Sequence, residues 1–252
     1  MQNSLIVIKL IKVANFEVVE KHYDLFLQLF KESTLNYPIL NLFFERKKRY
    51  RKIIGFEFKN QKFFIKIYSE CFNEAEAEWK NLFKLKKLGF SVPEPFFIRR
   101  KEDKIEIATF ALKGEPLSSL LLAKKEKQTF LVAKLAELIA SLHAKNLYHQ
   151  DCYLYHFFWD EESETISFLD VPRVLQNPLF SLKYQIKDLG QLGYSFEECF
   201  GKTGKELFQQ FLNYYLNFSK TKHTDFLIFL VKLKMALIRW RTERAKLKGK
   251  KL

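Results

Sequence analysis

The sequence predicts an α+β chain in two lobes, a β-rich N-terminal lobe over residues 1–112 and a mainly helical C-terminal lobe over 113–252. Up to Leu112 the apolar residues fall in short runs rich in Ile, Val and Phe that are separated by polar turns. From Thr129 onward they recur every three or four positions. The chain has 252 residues, 48% of them hydrophobic, with only 8 Gly and 6 Pro. That is enough apolar content for a sizeable core, and too little Gly, Pro or polar repeat for a disordered or collagen-like chain.

Taken in order, Leu5 to Val13 reads as a strand, and Phe16 to Phe30 as a helix with Val19, Tyr23, Phe26, Leu27 and Phe30 at helical spacing. Arg51 to Phe58 and Lys62 to Tyr68, separated by Lys59-Asn60-Gln61, read as a hairpin. Glu74 to Leu88 is a helix with Trp79, Leu82, Phe83 and Leu85 on its buried side; Gly89 stops it, and Pro93 and Pro95 follow. A second hairpin runs from Phe96 to Leu112 and turns at Glu102-Asp103-Lys104. After Lys113-Gly114-Glu115-Pro116, Thr129 to Lys145 lines up Leu131, Leu135, Leu138, Ile139 and Leu142 along one helix face. A short loop with Asp151, two β pieces (Phe157 to Trp159, Ile166 to Leu169) and a helical remainder from Gln185 complete the chain. The change of pattern near residue 113 implies a cleft between the lobes.

Against 43 Lys and Arg stand 29 Asp and Glu, a net charge of +14. The excess is uneven: residues 226–252 carry nine cations and one Glu, and Arg46-Lys47-Lys48-Arg49-Tyr50-Arg51-Lys52 holds six cations in seven positions. Such patches attract nucleic acid, anionic lipid or a heavily phosphorylated substrate. No nucleic-acid recognition motif accompanies them, so nucleic acid is not an expected partner. Cys71, Cys152 and Cys199 are odd in number and far apart, which points to a reducing cytosol and away from a disulfide framework. The N-terminal apolar run lacks a basic n-region and a small-residue cleavage site, so it does not read as a signal peptide. Phe226 to Ile238 is interrupted by Lys232 and Lys234 and falls short of the roughly 20 apolar residues a bilayer span needs. The expected location is cytoplasmic, free or at a membrane surface. With Trp240 among Arg239, Arg241 and Arg244, the C-terminal helix is either a headgroup-interface element or a solvated basic tail.

The densest polar chemistry is His149-Gln150-Asp151-Cys152-Tyr153-Leu154-Tyr155-His156, after a long amphipathic helix and before an apolar β run that ends at Asp170. A loop carboxylate with a possible ligand five residues later and a second carboxylate fourteen beyond that is the spacing of phosphoryl transfer. One Asp orients the attacking hydroxyl, and the later pair holds the metal on the nucleotide phosphates.

This stretch resembles the catalytic loop of the protein-kinase fold, H-R-D-x-x-x-x-N, with His156 in the Asn position. More narrowly it looks like the lipopolysaccharide kinase family, the Kdo and heptose kinases of the inner core, whose loop runs H-x-D-x-Y-x-x-H-F. In that family an I-D-x-x-R segment follows, here Leu169-Asp170-Val171-Pro172-Arg173. The likeness extends to Asp188-Leu189-Gly190-Gln191-Leu192 and upstream to Phe63-Phe64-Ile65-Lys66-Ile67-Tyr68. It implies a bilobal kinase-like fold, ATP and Mg²⁺. The implied acceptor is a sugar hydroxyl of an anionic glycolipid, the lipopolysaccharide core, at the inner-membrane surface. By the same resemblance Asp151 is the catalytic residue, Asp170 the metal ligand and His156 a second metal candidate. Lys66 binds the α and β phosphates and pairs with a helix glutamate, best matched by Glu78, with Glu74 and Glu76 still open. Asp188 either accepts hydrogen bonds from the catalytic-loop backbone or is an acid near a helix start.

The sequence departs from the pattern in three places. A phosphate-covering loop needs glycine for close backbone approach, and Arg49 to Phe64 offers only Gly55. Val171-Pro172 stands where protein kinases have Phe-Gly, and no A-P-E follows, which disfavours a protein substrate. Imidazole is an unusual ligand for Mg²⁺, so His156 could instead bond Asp151 or a phosphate. His143 reads as a packed or capping residue, His149 as a brace for the loop, Cys152 as a small buried residue, and Tyr153 and Tyr155 as packing. A silent kinase-like scaffold on an anionic membrane and a small-molecule kinase of the same fold are the rival readings. The oligomeric state is open.

Overall fold

The computed structural model describes residues 8–32, 41–220 and 223–248. Leu5 to Val7 of the first apolar run, and Lys250 and Lys251 of the basic tail, lie outside these. The chain divides into two compact units, residues 1–112 and 113–252.

The first unit is an antiparallel sheet of seven strands: β1 (Leu10–Val13), β2 (Phe16–Val19), β3 (Asn41–Lys47), β4 (Arg51–Phe58), β5 (Gln61–Tyr68), β6 (Pro95–Arg100) and β7 (Ile105–Phe110), ordered β1-β2-β6-β7-β5-β4-β3. Two helices accompany it, α1 (Tyr23–Glu32) and α2 (Phe72–Lys87). Alternation along β5 sorts the faces. Phe63 and Ile65 join Phe16, Phe26, Phe56, Phe96 and Phe97 in an aromatic core beneath α1. The alternate residues Lys66 and Tyr68 face α2, where both reach Glu78.

One expectation needs correction here, and one gains a structural side. Phe16 to Val19 is a strand, paired with both β1 and β6, and the helix begins only at Tyr23. The two-residue Ala14-Asn15 turn and the buried alternation of Phe16 and Val18 decide that segment over its helical spacing. The cationic run 46–52 is in part structural: it ends β3, turns, and begins β4, with Arg51 buried and donating to the Tyr68 hydroxyl at 3.5 Å.

The second unit contains α3 (Leu117–Ala123), α4 (Gln128–Ala144), α5 (Ser181–Ser219) and α6 (Thr224–Leu247). Short strands β8 (Glu115–Pro116), β10 (Phe157–Asp160) and β11 (Thr165–Phe168) form one small sheet, and β9 (Leu147–Tyr148) pairs with β12 (Leu175–Gln176). Helix α5 breaks at Gly201, whose φ of 57° is open to glycine at little cost. Gly190 and Gly193 let α6 approach closely: a Cβ on Gly193 would stand 2.5 Å from the Phe208 ring and 2.7 Å from Met235 Sδ. The α+β class, with an antiparallel sheet first and helices after it, is the one expected.

Candidate active site

The loop after α4 is held by one face of α5. Asp188, Gln191 and Ser195 lie at i, i+3 and i+7, so they share a helix face, and all three are buried. Asp188 Oδ2 accepts the His149 N–H and Oδ1 the Gln150 N–H, each at 2.7 Å. Gln191 Oε1 accepts the Cys152 N–H at 3.1 Å, and Ser195 Oγ the Leu154 N–H at 2.9 Å. Four backbone donors that burial would otherwise orphan thus find side-chain acceptors, two of them on a carboxylate, where hydrogen bonds are strongest. His143, on α4, spans the Tyr215 hydroxyl at 2.8 Å and Asp188 at 3.3 Å. Asp188 is therefore an acceptor for the loop and not a helix-start acid. Taken singly, neither Gln191 nor Ser195 stands out in the sequence as part of this network.

His149 braces the loop from its other side. Its Nδ1 accepts the Asp151 N–H at 3.2 Å, and its Nε2 lies 3.2 Å from the Leu169 carbonyl, which can only accept. The ring is therefore an Nε2–H tautomer that ties Asp151 to the residue before Asp170. Burial, and then the neighbouring His156, hold its pKa below the ordinary histidine value, in keeping with a neutral ring. Asp170 has φ 63° and Gln150 φ 66°, left-handed values that cost energy outside glycine and gather at functional sites.

These constraints bring Asp151, His156 and Asp170 together: one ligand atom from each lies within 4.8 Å of the others. His156 Nδ1 is 2.8 Å from the Asp151 carbonyl oxygen, so that nitrogen donates, and Nε2 lies 3.9 Å from Asp170 Oδ2. A carboxylate and an imidazole so placed suit a divalent cation, with the Asp151 carboxylate beside them, 4.0 Å from the ring. Tyr155, expected to be packing, is 47% exposed next to this cluster and stacks on Tyr153. Cys152 is fully buried, and burial raises its thiol pKa well above normal. A hollow of about 460 Å³ at the Gly201 break, lined by Glu197, Lys202, Lys205 and Arg239 among others, shares no residue with the cluster.

In the first unit, Lys66 Nζ donates to Glu78 Oε1 at 2.5 Å and the Tyr68 hydroxyl donates to Oε2 at 2.5 Å. Burial and the Glu78 charge raise the Tyr68 pKa, so the phenol keeps its proton and acts as donor. Glu76 bonds Arg100 instead, at 2.9 Å through Oε2. Gly55 sits in mid-strand opposite Phe44, and a Cβ there would stand 2.8 Å from the Phe43 ring. Its bareness thus has a packing cause, and the turn between β3 and β4, Lys48-Arg49-Tyr50, contains no glycine.

Solved structures that resemble the chain in fold include the following two. One, described as WaaP in complex with acyl carrier protein, has 19% identity and a TM-score of 0.60, covering 92% of this chain and 98% of that one. The other, an aminoglycoside-3'-phosphotransferase of type VIII, has 15% identity and a TM-score of 0.63, covering 85% and 98%. At those identities the likeness is one of fold, and the fold is kinase-like. No curated protein matches the sequence. The model of the lipopolysaccharide kinase (Kdo/WaaP) family matches residues 44–215, a span that includes Lys66, Asp151, His156, Asp170 and Asp188. With about two thirds of its length under that model, the chain belongs to the lipopolysaccharide kinase (Kdo/WaaP) family, and it is a phosphotransferase.

Proposed function

We propose that the chain transfers the γ-phosphoryl group of ATP to a sugar hydroxyl, on Kdo or heptose, of a lipopolysaccharide core at the cytoplasmic surface of the inner membrane. The observation that carries this reading is the convergence of Asp151, His156 and Asp170 on a loop whose backbone is held by Asp188. Asp151 orients the attacking hydroxyl and accepts its proton, a role open to a carboxylate that is partly exposed and tethered on both sides. Asp170, with His156 beside it, would hold a divalent ion such as Mg²⁺, which when bound supplies positive charge to the β and γ phosphates. Lys66, fixed by Glu78, neutralises the α and β phosphates. Little covalent chemistry is asked of the protein, so positioning and electrostatics carry the rate. The family relationship supports the acceptor class, and the net charge of +14 suits an anionic glycolipid. Because the solved WaaP was captured with acyl carrier protein, that protein belongs among the proposed partners.

The test is transfer of labelled γ-phosphate from ATP to lipid A–Kdo, and to its heptosylated form, in detergent micelles. Asp151→Asn should lower kcat about 10²–10⁴-fold; near-normal turnover would remove Asp151 from the mechanism. The glycine-free turn at Lys48-Arg49-Tyr50 favours a second reading, a silent scaffold with no nucleotide site. Calorimetric titration with Mg-ATP separates the two, since a scaffold gives no metal-dependent heat.

A further inference from the structure

Helix α6 has two apolar faces. Leu227, Val231 and Met235 are buried, with Met235 against Gly193 of α5. On the other side Phe226, Phe229, Leu233 and Trp240 are 57%, 62%, 58% and 51% exposed, and Leu237 and Leu247 are exposed as well. Their spacing of three, four, four, three and seven residues puts them on one line along the helix. At 1.5 Å per residue the line runs about 30 Å. Six large apolar side chains along one exposed line, the first five of them consecutive on it, are not the scatter of an ordinary surface.

Cations border this ridge. Projected around the helix at 100° per residue, Lys232 flanks it on one side and Arg241 and Lys248 on the other. Arg244 lies within it, its guanidinium 4.7 Å over the Trp240 ring. Arg239 is turned away and pairs with Glu197 of α5. From Thr224 to Lys248 there are seven Lys and Arg against Asp225 and Glu243. Two copies packed ridge to ridge about a two-fold axis would set these cations against one another, so the charge argues against a dimer through this face. Among the described residues no helix is long and apolar enough to cross a membrane. A convex apolar ridge with basic margins and an aromatic residue near its end has the make-up of a helix that lies flat in a headgroup interface.

We propose that the outer face of α6 is a membrane-docking surface. It takes an anionic bilayer, with Phe226, Phe229, Leu233, Leu237 and Trp240 among the upper acyl chains and Lys232, Arg241 and Lys248 on lipid phosphates. The proposal deepens the function above and rests on it only in that the acceptor is lipid-linked. The contact belongs to the length of α6 and not to the basic tail alone.

Flotation of the full chain tests it, with vesicles of phosphatidylcholine alone and of phosphatidylcholine mixed with phosphatidylglycerol. The parent should float with the anionic vesicles and remain largely behind with the neutral ones. Phe229→Ser/Leu233→Ser/Trp240→Ser should lower partitioning at least about tenfold. Lys232→Glu/Arg241→Glu/Lys248→Glu should lower it on the order of a hundredfold, at about 1 kcal/mol for each lost cation. Should either triple variant fail to fold, Leu233→Ser alone and a salt titration of the parent read the apolar and charge contributions separately. Variants that float like the parent, or a parent indifferent to phosphatidylglycerol, overturn the proposal. So does a doubled sedimenting mass that the apolar variant halves, or loss of acyl carrier protein binding in that variant with flotation intact. Flotation needs neither nucleotide nor turnover, and Asp151→Asn should float like the parent. A chain that floats but transfers no phosphate therefore defeats the kinase reading alone, and one that transfers phosphate but does not float defeats this one alone.

Discussion

Replacing Asp188 with Asn tests whether α5 holds the catalytic loop in the way the geometry indicates. Each carboxylate oxygen accepts one backbone N–H at 2.7 Å, from His149 and Gln150, and each has a second donor near 3.3 Å. Asparagine keeps one oxygen and turns the other into a donor that faces a donor. One charge-assisted bond is lost, at about 2 kcal/mol. The surviving bond becomes neutral, at a cost of about 1 kcal/mol. A buried N–H is left without an acceptor, at about 1 kcal/mol more. The sum of about 4 kcal/mol, at 1.4 kcal/mol per decade, should speed hydrogen exchange of the His149 and Gln150 amides by up to roughly three decades. The Leu189 amide, within α5, is the internal control. Gln191→Ala removes one neutral bond and leaves the Cys152 N–H without an acceptor, about 2 kcal/mol together, and should release that amide by only between one and two decades. The kcat of Asp188→Asn should fall with the loss of order, because Asp151 follows directly on the two amides. Protection at His149 and Gln150 within threefold of the parent, at about 0.7 kcal/mol, would refute the assignment of Asp188 as the anchor.

Three further outcomes are expected. Burial would raise the Glu94 pKa, but the His22 ring 3.5 Å away and the paired Lys21 and Lys86 ammonium groups outweigh it and hold the carboxyl at about 2, below its ordinary 4.5. Its stabilisation is therefore full above pH 4.5 and is lost as pH falls toward 2. Glu94→Gln should lower the melting stability of the protein at neutral pH by about 1 kcal/mol, after allowance for solvent screening, and by nothing near pH 2. A difference that persists at pH 2 would refute the linkage. Gly193→Ala places a Cβ against the Phe208 ring and Met235, both buried, and should cost about 1–3 kcal/mol in denaturant unfolding. Gly190→Ala meets Lys234 Cγ at 2.5 Å and Cβ at 2.9 Å, the root of that side chain, and should destabilise in the same range; two neutral variants would contradict the packing of α5 on α6. His156→Asn exchanges an imidazole nitrogen for an amide oxygen, so the ratio of Mg²⁺-supported to Mn²⁺-supported turnover should rise about tenfold. An unchanged ratio would take His156 away from the metal.

What the sequence reveals follows from how far apart the interacting residues lie. The β4–β5 hairpin and α4 are legible because their buried positions repeat with a local period, two in one and 3.6 in the other. Strand β3 is exposed along its whole length and has no alternation to detect; it exists because β4 pairs with it. The choice of Glu78 over Glu74 and Glu76 turns on helix phase, since Ala75, Glu78, Trp79 and Leu82 form the buried stripe of α2. Asp151 and Asp170 are found from spacing and resemblance. Gln191 and Ser195 escape notice because a lone polar residue in a helix ordinarily faces water. Their signal is collective, three polar residues at i, i+3 and i+7 interleaved with Leu189, Leu192 and Phe196, all buried.

That same helix explains why the segment Asp188 to Ser195 is so constrained. Around the axis, Asp188, Gln191 and Ser195 fall within about 60° of one another, while Gly190 and Gly193 fall on the opposite side. One side supplies acceptors to the catalytic-loop amides, and the other lets α6 close on α5 through Lys234 and Met235. A change on either side alters the position of α5, and through it whatever the opposite side holds. The loop that presents Asp151 and the helix whose outer ridge is assigned to the membrane are therefore fastened to a single rigid element. Insertion of one residue between Gly193 and Ser195 would rotate all that follows by 100°, carrying Ser195 away from Leu154 while Asp188 and Gln191 keep their partners. The Leu154 amide should then lose its exchange protection while those of His149 and Gln150 keep theirs, and retained protection at Leu154 would show that the loop is ordered by something other than this helix.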